Sequence, residues 1–147
     1  MGKIRKKLSG KFLVGQLQNL YCSCQSEFSA FLMFNYQSLV TKNKDIAQIF
    51  KTMSKKHLDN SRELAKVIIS LKGLPFYINS QNSPLTAFWL NPTTNLKETI
   101  KQDKKFLERH INNYNTIINK CTNEKIISIL LVFKSCALDE LDFLNSL

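Results

Sequence analysis

Proline and glycine are scarce, with three and four in 147 residues, and all three prolines fall between residues 75 and 92. That excludes a collagen-like or linker-rich chain and leaves long uninterrupted stretches on either side of one irregular segment. Arginine is nearly absent: of 21 basic residues, 18 are lysine and three are arginine. A net charge of +10 attracts anions, but the shortage of arginine forks argues against dedicated phosphate readout. The four cysteines, Cys22, Cys24, Cys121 and Cys136, form no C-x-x-C pair. A zinc knuckle or rubredoxin-type iron site is therefore not expected, and free thiols in a reducing compartment are. No run of 18 apolar residues exists, so no membrane span is expected. The basic start is followed by FLVGQLQNLYC, whose Gln and Asn make a poor signal core. The reading is a cytoplasmic protein.

What the chain does have is helical periodicity. Apolar residues recur at steps of three and four over residues 11–40, 45–72, 95–120 and 123–147. Asp45 favours the start of the second segment, and Asn95 and Asn123 are placed to cap the third and fourth. The first and second segments, and the third and fourth, are joined by a few residues each, which makes antiparallel neighbours. About twenty residues, from Gly73 to Thr94, separate the second from the third. Their aromatic residues, Phe76, Tyr77, Phe88 and Trp89, suggest a crossover packed on the protein. The expected fold is all-α: a ferritin-like four-helix bundle of two antiparallel helix pairs joined by a long crossover, at residues 11–147, preceded by a basic tail at 1–10.

Each apolar stripe contains ionisable residues at core depth: Glu27 in the first helix, His57 in the second with Asn60 beside it, Asp103 and His110 in the third, and Glu140 in the fourth. Ionised carboxylates in an apolar core are costly unless paired or bound to metal. Two arrangements compensate them. One is a divalent metal held by Glu27, His57, Asp103 and Glu140. The other is a metal-free network in which a histidine is protonated, Asn60 donates hydrogen bonds and one carboxyl keeps a proton. His110 and Asn60 belong to the surrounding polar network in either case.

These stretches resemble the rubrerythrin-related, ferritin-like di-iron carboxylate family, over about residues 15–147, and are most similar to small bacterial members made of the bundle alone. YCSCQSEFSAFLMF looks like the first-helix motif, with Glu27 as the terminal metal carboxylate. HLDNSRELAKVIISLKGLPFY looks like the second-helix E-x-x-H stretch with its ending of Leu71, Gly73, Pro75 and Tyr77. His57 then stands at a bridging glutamate and Asn60 at the motif histidine. FWLNPTTNLKETIKQDKKFLERHI resembles the crossover and third helix, with Asp103 at the glutamate and His110 at a common tyrosine. In NEKIISILLVFKSCALDELDFL the second E-x-x-H falls on Ala137 and Glu140. The resemblance implies a homodimer and a metal site whose ligand set has been rewritten and has lost both bridging glutamates. Ferroxidase or peroxidase activity of the family type is then not expected. The functional expectation is an eroded di-metal site that binds one Fe, Mn or Zn ion or none. The alternatives are a metal-free structural or interaction protein and, less favoured, a binder of nucleic acid or an anionic surface.

Overall fold

In a computed structural model, the backbone is described for residues 2–71 and 95–147 and the side chains for 17–71 and 95–147. Within these residues lie four helices and no strand: α1 Gly2–Val40, α2 Lys44–Ser70, α3 Leu96–Lys120 and α4 Glu124–Ser146. The four-helix, all-α expectation holds. The crossover, with Gly73, Pro75 and its aromatic residues, lies outside the described residues. α1 starts at Gly2, so residues 2–10, expected as a basic tail, are helical along the backbone.

Three helices begin on an asparagine whose side-chain oxygen takes up otherwise unpaired N–H groups of the first turn. Asn43 accepts from Asp45 N at 3.0 Å and Ile46 N at 3.2 Å, so α2 begins at Lys44, one residue ahead of the expected start. Asn95 accepts from Glu98 N at 3.3 Å. Asn123 accepts from Lys125 N at 3.1 Å and Ile126 N at 3.2 Å. An acid in each first turn, Asp45, Glu98 and Glu124, adds favourable charge at the positive end of the helix dipole.

α1 packs along α2 and α3 along α4, with α1 also against α3. Cross-helix partners run in opposite directions: Phe34 faces Phe50, Glu27 faces His57 and Cys24 faces Ser61. The first pair is therefore antiparallel. The core has two apolar clusters. One is built on Phe34, Phe50, Met53, Phe106, Leu107 and Leu144. The other is built on Leu20, Leu64, Ile68, Tyr114, Ile117 and Leu130. On α1, α2 and α3 the polar residues Glu27, His57 and His110 fall between the members of these clusters, so a polar layer sits within the bundle. No helix among the described residues is long and apolar enough to cross a membrane.

Candidate metal centre

Glu27 is fully buried and is the hub of the polar layer. Its Oε2 faces Nδ1 of His57. Its Oε1 faces His110 Nε2 at 2.9 Å, accepts the Tyr114 hydroxyl, and lies 3.5 Å from Asn60 Nδ2. One helix turn separates His110 from Tyr114, which is why both reach the same oxygen. The second nitrogen of His57, Nε2, lies 2.8 Å from Glu140 Oε2. His57 thus stands between two carboxylates from two different helices.

Aromatic rings close the layer against water. Phe34 stacks on His57 with centroids 5.4 Å apart and planes at 13°. Phe106 stacks on His110 at 5.8 Å and 24°. Tyr114 meets His110 edge-on at 4.5 Å. In this dry setting charges act strongly on one another. Burial alone would raise the Glu27 carboxyl, but the charges of and hydrogen bonds from His110 and His57 outweigh it and hold the group well below the usual carboxylate range. Burial alone would likewise lower His57. The facing Glu27 and Glu140 carboxylates outweigh that too and bring it up to about 10. Burial and the nearby Glu27 charge push the Tyr114 hydroxyl well above its ordinary value, so it stays a proton donor. Cys24, one turn before Glu27, is raised to about 11 by burial and then by Glu27, and its thiol donates to the Ser61 carbonyl at 3.4 Å. It is a packing group, not an activated nucleophile. All four cysteines are free.

Of the residues singled out in the sequence, Glu27, His57, Asn60, His110 and Glu140 are joined by these bonds. Asp103 is fully buried but stands two turns from His110 on α3, about 10 Å along the helix axis. There it accepts from Gln37 Nε2 at 2.7 Å, and its Oδ2 and the Gln37 Oε1 have no hydrogen-bond partner among the described residues. Burial pushes the Asp103 carboxyl up to about 7 against the opposing effect of the Gln37 hydrogen bond. Two participants, Tyr114 and Gln37, were not picked out from sequence. Tyr114 had a visible signal, four residues after His110 in the same stripe. Gln37 had one too, ten residues after Glu27 on the buried side of α1, but an isolated glutamine there carries no chemical signature.

Glu27, His57 and His110 each offer one ligand atom, and these atoms all lie within 4.8 Å of one another. Ligands about 2.0–2.2 Å from one ion are separated by up to about 4 Å, so the three are near the span of a common metal. Two further buried atoms of the layer, His110 Nδ1 and Glu140 Oε1, have no partner among the described residues. Two imidazoles and one carboxylate form a donor set suited to Fe(II), Mn(II) or Zn(II).

No family model matches the sequence, and no curated protein matches it. Among solved structures, the chain is similar to a ferritin-like, diiron-carboxylate protein from Bacillus anthracis strain Ames. The TM-score is 0.80 at 14% identity, over 92% of this chain and 96% of that one. At that identity the likeness speaks for the fold: the protein has a ferritin-like helical bundle with a candidate metal-ligand group of Glu27, His57 and His110 at its centre.

Proposed function

We propose that the protein binds a single divalent transition-metal ion at this centre, with Glu27, His57 and His110 as ligands and Glu140 holding the far nitrogen of His57. The reading is supported above all by one feature: three convergent ligand atoms from three helices, one of them on an imidazole whose other nitrogen already faces a carboxylate. That carboxylate–imidazole–ligand order fixes the tautomer and ring orientation of metal-binding histidines generally. Glu140 accepts from Nε2–H and leaves Nδ1 toward Glu27. Tyr114 and Asn60 hold the Glu27 carboxylate in place, and the Phe34 and Phe106 rings exclude water. A bound ion would supply the positive charge that two buried carboxylates need.

The solved neighbour is described as a diiron-carboxylate protein, but two metals fit these residues poorly. Relative to the resemblance, the bridging positions are His57 and Ala137, and Ala137 packs in an apolar cluster with no donor to offer. Two-metal oxygen chemistry needs bridging ligands that hold both ions together. The proposal is therefore a rewritten, mononuclear site in a rubrerythrin-related bundle, and a binding protein before an oxidoreductase.

A second reading is favoured by a different observation: both nitrogens of His57 face carboxylates, the arrangement an imidazolium would adopt. Here protonated His57 is itself the cation between Glu27 and Glu140, and the bundle is a metal-free scaffold or interaction protein. Elemental analysis of tag-free protein, as purified without chelator and after anaerobic loading with Fe(II), Mn(II) or Zn(II), separates the readings. About one metal per chain, lost in Glu27→Ala, supports the mononuclear site. Two per chain overturns it in favour of a dinuclear one. No uptake between pH 6 and 9 overturns it in favour of the imidazolium network.

A further inference from the structure

Gln37 and Asp103 form a buried pair outside the metal centre. Gln37 Nε2 donates to Asp103 Oδ1 at 2.7 Å, from the last turn of α1 to the second turn of α3. The two remaining oxygens, Asp103 Oδ2 and Gln37 Oε1, are both buried and have no hydrogen-bond partner among the described residues. Both are acceptors when the carboxyl is ionised, so the pair lacks one donor. No charged side chain on a neighbouring helix supplies it. Over residues 12–41 the sequence of α1 has one charged side chain, Glu27. The buried ionisable groups of the other helices, His57 on α2, His110 and Tyr114 on α3 and Glu140 on α4, are bound into the Glu27 layer. On α3 itself the flanking Lys101 and Lys105 are exposed and Lys104 is half-buried. Burial, opposed by Gln37, brings the Asp103 carboxyl to about 7. The place of the pair connects it to the metal centre. Phe34 precedes Gln37 by three residues and Phe106 follows Asp103 by three, so each ring shares a helix face with its polar neighbour. Phe34 stacks on His57 and Phe106 on His110, and both rings belong to one apolar cluster. The pair ties together the two segments whose rings shut the metal layer from water.

We infer that the Asp103–Gln37 pair is a proton-operated clasp that sets how fast a metal ion reaches the Glu27 centre. The inference rests on the mononuclear site proposed above. With a proton on Oδ2, the carboxyl donates to Gln37 Oε1 while Gln37 Nε2 donates to Oδ1. One proton then satisfies both unpaired oxygens, and two hydrogen bonds hold α1 to α3. When that proton leaves to solvent, Oδ2 and Oε1 become two buried acceptors with no donor between them, a costly state. Water relieves it, and water reaches them only when this end of the bundle opens locally. Opening parts the segments that carry Phe34 and Phe106 and uncovers His57 and His110. The clasp is shut in acid and released as pH rises above neutrality.

Asp103→Asn tests the clasp, because asparagine keeps the shape, stays neutral and can both accept from Gln37 Nε2 and donate to Gln37 Oε1. It is the clasp locked shut at every pH. Two measurements on the full chain compare it with the parent between pH 5.5 and 8.5. The first is hydrogen exchange of the metal-free proteins, each amide referred to its intrinsic rate. Amides around Gln37 and Asp103 are expected to lose protection at least about tenfold with rising pH in the parent and not in the variant. Amides around Leu20 and Ile117, at the other end of the bundle, should behave alike in both proteins. The second is the rate of Zn(II) uptake, followed by competition with a chromophoric chelator. His57 must shed its proton for metal in both proteins, so the ratio of their rates isolates Asp103. That ratio is expected to rise from about one at pH 5.5 to about ten or more at pH 8.5, with the same equilibrium affinity in both, since a gate changes entry and exit together. A ratio that does not change with pH, or protection that falls equally in both proteins, overturns the clasp. Zn(II) taken up by neither protein overturns the mononuclear site and the gating of metal with it, while the exchange data still decide whether the pair opens with pH.

Discussion

Glu27 and Asp103 are both acids with no exposed surface, set in the same bundle two helices apart, and burial pushes each of them toward the neutral form. Yet Glu27 is held far below the usual carboxylate range while Asp103 rises to about 7. The partners account for the difference. Glu27 faces two imidazoles, a phenol and an amide, with both oxygens engaged. Asp103 has one amide on one oxygen, and its other oxygen has no hydrogen-bond partner among the described residues. A buried carboxylate is stabilised by the charge that surrounds it, not by depth, and one neutral hydrogen bond does not offset desolvation. The layer around Glu27 is therefore built to keep negative charge in the core. The Asp103–Gln37 pair is built to hold a proton near neutral pH.

The most direct way to break this comparison is to remove its hub. Glu27→Ala leaves His57 facing one carboxylate instead of two and takes from His110 the carboxylate it faces. It is expected to destabilise the metal-free protein by about 3–5 kcal/mol, the cost of stranding one member of a buried ion pair, as read by urea unfolding. A loss below about 1 kcal/mol would remove the Glu27 layer as a source of stability. The pH dependence follows from the raised His57 pKa. Its contribution is complete below the unfolded value of 6.5 and is lost as pH rises through about 10, so metal-free protein should weaken from pH 7 to 10. His57→Gln should flatten that slope. The depressed Glu27 acts in the opposite sense, with a contribution present above 4.5 and lost as pH falls below it.

Glu140→Gln probes the support of the same layer. It should lower metal affinity by about 10–100-fold while leaving one binding site per chain, measured by competition with a chromophoric chelator. Unchanged affinity would show that Glu140 does not orient His57.

Asp103→Asn sharpens the contrast from the other side. The raised Asp103 pKa means that its protonated form contributes stability fully below pH 3.8, and that this is lost as pH rises through about 7. Asparagine stays neutral throughout. The variant should match the parent near pH 4 and exceed it by roughly 1–3 kcal/mol at pH 8. A variant less stable than the parent at pH 8 would mean that an ionised Asp103 is satisfied after all. The smallest effect is a control away from both acids: Asn123→Ala should cost about 1 kcal/mol at every pH through loss of its cap on α4, with no change in metal affinity.

Much of this was legible in the sequence. The periodicity of α2 and α3 places Phe50, Leu64, Leu107 and Ile117 inward, and all four are buried. Asn95 and Asn123 stand where their caps are found. The polar residues picked from the stripes, Glu27, His57, Asp103, His110 and Glu140, are all buried. Less legible was the start of α1, where residues 1–10, rich in basic side chains and without an acid, read as a tail although the helix reaches Gly2. Tyr114 was visible only as one more aromatic residue in a seam, because a phenol acquires a role from the carboxylate opposite it.

The sequence alone determined the angle of each residue around its helix, because a repeat of 3.6 residues per turn fixes which side chains share a face. It therefore decided which acids and histidines enter the core. It did not determine the height at which one helix stands against another. Asp103 and His110 share the inward face of α3, yet only His110 lies level with Glu27, while Asp103 meets Gln37 nearer the other end of α1. That axial offset is carried where the two helix pairs meet, in the clusters that pack Phe34 and Phe50 with Phe106 and Leu107, and Leu20 and Leu64 with Tyr114 and Ile117. Hydrogen bonds and ligand atoms act over about 3 Å, whereas a shift of one helix turn moves a side chain 5.4 Å. Only the assembled bundle could decide which buried charges become partners.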